Sequence, residues 1–443
     1  MRSKKLKILF GLFILIFLPG SSGPLFAQEV TKRYTLQDSI KEAIANNWSL
    51  KAKGKQVDQA IDVKKQARAD FLPKFSVTYS YNKRDEARGA TITPTPGASS
   101  VTLSNDTYRF IYTLRQPLFT GFELLSRYRL AELGIDQSAM DLELEKLDLI
   151  LNVKTAYFNI LIADIAIRVA QSDIEFRESN LNVARNFYKV GMIPINEVLR
   201  AEVELADSQQ ALVRVQNSAK LARASFNTVL ARPVNEQVEL EDLSGYEPEK
   251  GNFDQYLVEA LKNRPEIKLI DINILQADQQ IRLAKSQYYP EVAFTYNYTR
   301  EGDDPTVGGG AGLDPNSWEA LAIAQWTFWE WGKTYYSARE KKSFKKELLD
   351  TKKALENNIG LELQQALLDL ETAERNIPPT QKAVEQGEEN LRVNEERYKA
   401  QVTTITEVLD AQTLLTQARV NYYGALYDHH LAKARLERSI GAE

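Results

Sequence analysis

His429 and His430 are the only two histidines in a chain of 443 residues that contains no cysteine. Hydrolytic chemistry needs a nucleophile with a base at hand, or a metal held by several ligands. Adjacent residues on a helix point away from one another, and no thiolate can complete a zinc site, so this pair reads as solvated or packed side chains. The run GGGAG from Gly308 lies in an Asp- and Pro-rich loop between two expected strands. It opens no helix, which argues against a phosphate cradle. The sequence therefore predicts no catalytic residue, no cofactor and no metal. Charged residues make up 26% of the chain, 56 basic against 60 acidic, for a formal net charge of -4. Signs mixed this evenly suit solvated helix faces and argue against a nucleic-acid partner.

Most acids fall on expected helices and read as solvated, but a few lie in a segment that occurs twice. YKVGMIPINEVLRAE from Tyr188 matches YKAQVTTITEVLDAQ from Tyr398, an offset of 210. FLPKFSVTYSYN, starting at Phe71, matches YYPEVAFTYNYT, starting at Tyr288, an offset of 217. Two internal repeats follow, residues 28–245 and 246–443, each reading as helix, strand, loop, strand, very long helix, tip and long helix. Ahead of them, residues 1–27 carry Lys4, Lys5 and Lys7, the apolar run ILFGLFILIFL, and a small residue at Ala27. That pattern is a secretory signal, too short to span a bilayer. No later run appears apolar enough to cross a membrane as a helix.

The elements that position the duplicated tips are long. Between Gly121 and Gly191 the only glycine is Gly134, and no proline interrupts before Pro194. Helix over most of that interval reaches on the order of 100 Å at ~1.5 Å per residue. In the second copy Pro378 and Pro379 should break or kink the helix. The returning helices carry seven-residue seams: Val198, Leu205, Leu212, Ala219 and Phe226 in one, Ala411, Ala418, Ala425 and Ala432 in the other. Such spacing predicts coiled-coil packing with close approach of the helices.

The strands have different demands. KFSVTYSYNK places Phe75, Val77, Tyr79 and Tyr81 on one face and hydroxyls and amides on the other over about ten residues, the span of a tilted transmembrane strand. TYRFIYTL from Thr107 alternates likewise, whereas SWEALAIAQW from Ser317 puts Leu321 and Ile323 on the side expected to be polar. Trp318, Trp326, Trp329 and Trp331 cluster around that segment and suit a membrane interface. Four strands leave two open edges, which hydrocarbon does not tolerate, so copies must pool them: two give eight strands and three give twelve. Twelve leave room for water, lined by Ser76, Thr78, Thr295 and Asn297.

In combination these features resemble the TolC family of outer membrane efflux proteins over essentially the whole mature chain. The elements NNWSL (from Asn46) and NRPEI (from Asn263), the strand-to-helix turns QPLFTGF and WTFWEWGK, and the two tips carry the likeness. Trp48 stands where the family has proline, Gln401 where it has glycine, and Thr403 where it has an arginine that ties the closed state. The resemblance implies a homotrimer with a twelve-stranded β-barrel in the outer membrane lipid and an α-helical barrel extending into the periplasm of a Gram-negative bacterium. It further implies a periplasmic adaptor (membrane fusion) protein and an inner-membrane pump as partners, in a tripartite efflux or type I secretion system. Its gate would lie at the tips, where Glu407 and Asp410 match carboxylate rings and Tyr398 a family tyrosine, with Glu197 and Arg200 beside them. Adaptor contact would fall on Gly191, Val198, Leu199, Val408 and Leu409.

A physical reason supports the acids independently. If three tips converge, like charges around a narrow axis create a field that favours cations. Arg200, pseudo-equivalent to Asp410, is expected to pair with it between neighbouring hairpins. A soluble or peripheral periplasmic coiled-coil scaffold and a passive outer membrane porin are the alternative readings, and the second leaves the long tips without a purpose.

Overall fold

The computed structural model describes residues 33–85, 89–90, 101–102, 104–242, 245–249, 251–310 and 314–442. The expected signal, 1–27, lies outside the described residues. In chain order the elements of the first repeat are β1 (Arg33–Tyr34), α1 (Leu36–Asn46), α2 (Trp48–Ala69), β2 (Lys74–Lys83), β3 (Gly89–Ala90), β4 (Val101–Thr102), β5 (Asp106–Thr120), α3 (Glu123–Lys189), α4 (Ile195–Val229) and β6 (Glu239–Leu240). The second contributes α5 (Phe253–Asn263), α6 (Pro265–Ser286), β7 (Glu291–Gly302), β8 (Asn316–Gln325), α7 (Lys333–Lys399) and α8 (Ile405–Ile440). Both long helices have 67 residues, or about 100 Å of rise.

The helix expected before each first strand is in fact two helices. In the first repeat the break is Asn47, whose side chain accepts from the Ser49 and Leu50 amides and so caps α2; in the second it is Arg264, with Pro265 opening α6. An Asn N-cap and a Pro at N1 both favour starting a helix at that point.

The prolines of α7 do not break it. Pro378 and Pro379 sit inside continuous helix, although each removes a backbone donor. Two features offset that loss. The Thr380 hydroxyl lies 2.7 Å and 2.9 Å from the carbonyl oxygens of Asn376 and Ile377, and Leu370, Ala373 and Ile377 are buried in the seam along which α7 packs on α8. Tertiary packing outweighs local propensity here. The heptad seams are buried in part: Val198, Ala219 and Phe226 and, in the other helix, Ala411, Ala425 and Ala432 are buried, whereas Leu205, Leu212 and Ala418 are half-buried, and Ala201 and Ser208 beside the first seam are buried as well.

One sequence expectation is corrected. α3 does contain a window long and apolar enough to cross a membrane. Its apolarity serves the waist of the molecule, where Leu149, Val153, Tyr157, Phe158, Ile160, Leu161 and Ile165 form the largest core with Tyr34, Ala43, Phe226, Leu230 and Tyr427. The Tyr157 hydroxyl donates to the Glu241 carbonyl (2.6 Å) and lies 3.1 Å from that of Tyr34, placing α3 against the short parallel pair β1 and β6.

Candidate functional site

Two places could do something: the sheet at one end of the helices and the paired tips at the other. The sheet has the order β2, β5, β7, β8, all neighbours antiparallel. Its register aligns Tyr79 with Phe110, Val77 with Tyr112 and Tyr298, and Tyr298 with Trp318, giving one aromatic face. Tyr81 stacks on Tyr108 at 4.8 Å and Tyr296 on Trp318 at 6.1 Å. The other face aligns Ser76, Thr113, Asn297 and Glu319 in a single row. Along it the Thr113 hydroxyl donates to Asn297 and the Asn297 amide donates to Glu319, both at 2.8 Å. Arg109 meets Glu301 at 2.7 Å and Arg115 meets Glu291 at 3.0 Å on the same face.

The four residues expected to share a polar face, Ser76, Thr78, Thr295 and Asn297, do share it by register. Leu321 and Ile323 also lie on it, which is why β8 alternates poorly. β5 runs to Thr120, six residues past the expected segment, with a register shift between Pro117 and Phe119. β2 and β8 are edges with exposed side chains throughout.

Each strand-to-helix turn needs two successive left-handed residues, and each copy has one glycine for them. In the first, Gly121 has φ 60° and Phe122 φ 70°; in the second, Trp331 has φ 52° and Gly332 φ 83°. A Cβ at Gly121 would stand 2.4 Å from the Ser286 carbonyl oxygen, so glycine is required there by space as well as by φ. Trp326, Phe328, Trp329 and Trp331 around the second turn are all exposed. The glycines Gly308, Gly309 and Gly310 belong to the connection between β7 and β8 and open no helix.

At the opposite end the two hairpins turn on the same backbone. Gly191 has φ 77° and its counterpart Gln401 φ 59°; the amides of Met192 and Val402 reach back to the carbonyls of Phe187 and Arg397 at 2.8 Å and 3.0 Å. Both are helix ends closed by a left-handed residue. The tips then pack on each other through Leu181, Ala184, Val198, Ala201, Tyr398, Ile405, Val408 and Leu409. Within this contact the Tyr398 hydroxyl and one carboxylate oxygen of Glu197 are buried without a hydrogen-bond partner. Burial, with the Glu197 charge adding, pushes the Tyr398 phenol up to about 12.

This burial alters the expected site. Val198, Val408 and Leu409 are enclosed by the chain's own hairpins, so none of them is available as an adaptor contact. Gly191 and Leu199 are exposed, and Val190, Met192, Ile195 and Val402 join them as exposed apolar tip residues. Glu407, Asp410 and Arg200 are also exposed. Among the described residues Arg200 and Asp410 form no ion pair within one chain.

Two buried networks were not foreseen. Above the tip, Arg177 of α3 bonds Asp173 (2.8 Å), Glu204 of α4 (2.8 Å) and the Thr413 hydroxyl of α8 (3.1 Å); Gln412 and Thr416 of α8 donate to Asp173 at 2.9 Å and 3.1 Å. At the waist Arg264 bonds Glu266 (2.8 Å) and Glu362, and Arg438 joins Glu266 (3.0 Å) to Asp148 (2.6 Å). Burial alone would raise the Glu266 carboxyl, but the bonds and charges of Arg264 and Arg438 hold it down to about 2. Partners so far apart in sequence gave no periodic signal. The charged side chains at 173, 177 and 204 were the only hint, and they read as solvated.

Among the described residues no group of His, Asp and Glu side chains has the arrangement of a metal site.

The family profile described as outer membrane efflux protein matches residues 39–232 and 256–442, one match per repeat. The chain is 22% identical to the cobalt-zinc-cadmium resistance protein CzcC of Cupriavidus metallidurans, covering 94% of this chain and 92% of that one. It is 22% identical to the alkaline protease secretion protein AprF of Pseudomonas aeruginosa over 98% and 88% of the two. The solved Campylobacter jejuni CmeC outer membrane channel superposes with a TM-score of 0.77 at 17% identity, over 92% of this chain and 85% of that one.

Proposed function

The chain belongs to the outer membrane efflux protein family, and from that premise we propose that three copies form the outer-membrane exit duct of a tripartite export system. The observation that carries the reading is the sheet: four strands, two open edges, an aromatic face for lipid and a hydroxyl and ion-paired face for water. Hydrocarbon does not accept open edges, and three sheets joined edge to edge make a closed wall of twelve strands. Relatives named for metal resistance and for protease secretion support an export role.

In this reading Ser76, Thr78, Thr295 and Asn297 line the lumen, and the helices carry it across the periplasm. The duct is passive and performs no catalysis. An inner-membrane pump supplies the energy, and an adaptor engages the tips at the exposed Gly191, Leu199, Met192 and Val402. The gate is the ring of tips. Glu407 and Asp410, exposed on each second tip, place six carboxylates around the axis and favour cations. Arg200 pairs with Asp410 of a neighbouring chain. Tyr398 and Glu197, a buried donor and acceptor without partners, are the groups that a small tightening of the tips brings into a bond.

Low-resolution imaging of the detergent-purified protein tests this. A three-fold cylinder, longer than the roughly 100 Å of one long helix, is the expected result; a monodisperse single chain would refute the duct.

A further inference from the structure

The segment Gly245–Glu249 between the repeats meets the helices at several points, and two of them are the histidines that the duct does not use. His429 of α8 is only 1% exposed, and both of its ring nitrogens lack a hydrogen-bond partner. The Tyr246 ring of the linker lies edge-on over it at 5.3 Å. Its Nε2 stands 3.5 Å from Oε1 of Glu374 on α7. That same oxygen accepts the backbone N–H of Glu249 in the linker at 2.9 Å. The neighbouring His430 stacks flat on Phe158 of α3, 5.1 Å between centroids and 12° between planes. Its Nε2 lies 3.0 Å from the Gly245 carbonyl oxygen; a carbonyl only accepts, so Nε2 carries the proton. Upstream, Asp242 accepts from the Tyr427 hydroxyl at 3.0 Å.

We propose that His429 and His430 hold the segment Gly245–Glu249 as an acid-released strap: with neutral imidazoles it lies docked on α7 and α8, and proton uptake at His429 lifts it. Two effects act in the same direction. The docked linker keeps water from His429, so an imidazolium is solvated better once Tyr246 moves away. An imidazolium also competes for Oε1 of Glu374, the atom that holds the Glu249 amide. The charged and titratable groups facing the ring are Glu374 from α7, Tyr246 and Glu249 from the linker, and His430 and Lys433 from α8. Lys433 meets Glu249 at 3.3 Å and so adds to the hold on the linker. α3 presents the uncharged Phe158 to this pair.

Burial lowers both imidazoles below their ordinary value of 6.5, Glu374 opposing the shift at His429 without reversing it. The sign follows. A group whose docked form is the weaker base favours docking fully above its ordinary value, and the preference is lost as pH falls below it.

Hydrogen–deuterium exchange of the full-length protein in detergent tests the strap, read on the peptide that covers Gly245 to Glu249. After correction for intrinsic exchange, protection should be lost progressively as pH falls from about 7.5 to about 5 in the natural chain. In His429→Phe, which fills the site and cannot charge, it should stay constant, and His429→Leu serves the same purpose if the phenylalanine does not fit. Unchanged protection in the natural chain, or an equal fall in both variants, would overturn the proposal.

Discussion

Tyr188 and Tyr398 occupy the same position in the two hairpin tips, yet one is 45% exposed and the other 3%. Leu199 and Leu409, another equivalent pair, are 53% and 3% exposed. The backbones of the tips match, down to the left-handed residue that closes each helix, so the difference comes from where each hairpin sits. The second tip presses its tyrosine and leucine into the first, while the first turns the equivalent residues outward. Further along, Arg177 of the first hairpin corresponds to Gly387 of the second, where a Cβ would stand only 3.3 Å from Leu415. A buried charged network in one copy thus answers to tight packing of a small residue in the other. Duplication preserved the shape and let the chemistry of the contact diverge.

Removing Arg177 should break this asymmetry most severely. Arg177→Leu leaves Asp173 buried without its cation, a loss of about 3–5 kcal/mol for a buried pair. The hairpins should part near the mouth, with a lower unfolding temperature and a larger resting conductance in planar bilayers. Arg177→Met combined with Asp173→Asn should recover part of both. Natural conductance and stability in Arg177→Leu would mean that the network does not join the hairpins.

The waist carries a similar contrast. Asn47 caps the second helix of the first repeat without charge, whereas its counterpart Arg264 relies on Glu266. Because the Glu266 carboxyl is depressed from about 4.5 to about 2, its contribution is full above the higher value and is lost as pH falls toward the lower. The size is at most about 3 kcal/mol. Acid titration should show the natural chain losing stability across that window, while Glu266→Gln starts less stable and loses less.

Exchanging the residues that close the tips sharpens the comparison at a smaller scale. Gln401→Gly should stabilise the second tip by about 1 kcal/mol by relieving its positive φ, and Gly191→Gln should cost about the same, since nothing crowds a Cβ there. Thermal unfolding checks both, and equal effects of one sign would contradict equivalent backbones. The smallest effect belongs to the exposed charges. Arg200→Ala should remove at most about 1 kcal/mol per pair, visible as a raised resting conductance only because three copies act together; no change would remove the proposed pairing with Asp410.

Much of the architecture was legible in the sequence because it is periodic. Alternation in KFSVTYSYNK, the seven-residue seams and the duplicated tips each impose one geometry, and the structure has them. The waist was not legible, because the apolar stretch of α3 is wrapped by β1, α1 and α8, segments far away in sequence. Pro378 and Pro379 misled for the converse reason: propensity is local, and packing on α8 keeps the helix continuous from outside. Burial of Val198, Val408 and Leu409 depends on one hairpin meeting the other, and His429 is covered by a linker without any pattern.

The central claim is that the two open edges of the sheet, β2 and β8, meet between chains. The absence of cysteine makes a direct measurement simple: place one cysteine in β2 and one in β8, on the same face, and scan the pairing in native outer membranes under oxidising conditions. Bands that climb to a covalent trimer and stop there are the predicted result. A chain that stays monomeric for every pair, while folded and in the membrane, would contradict the account.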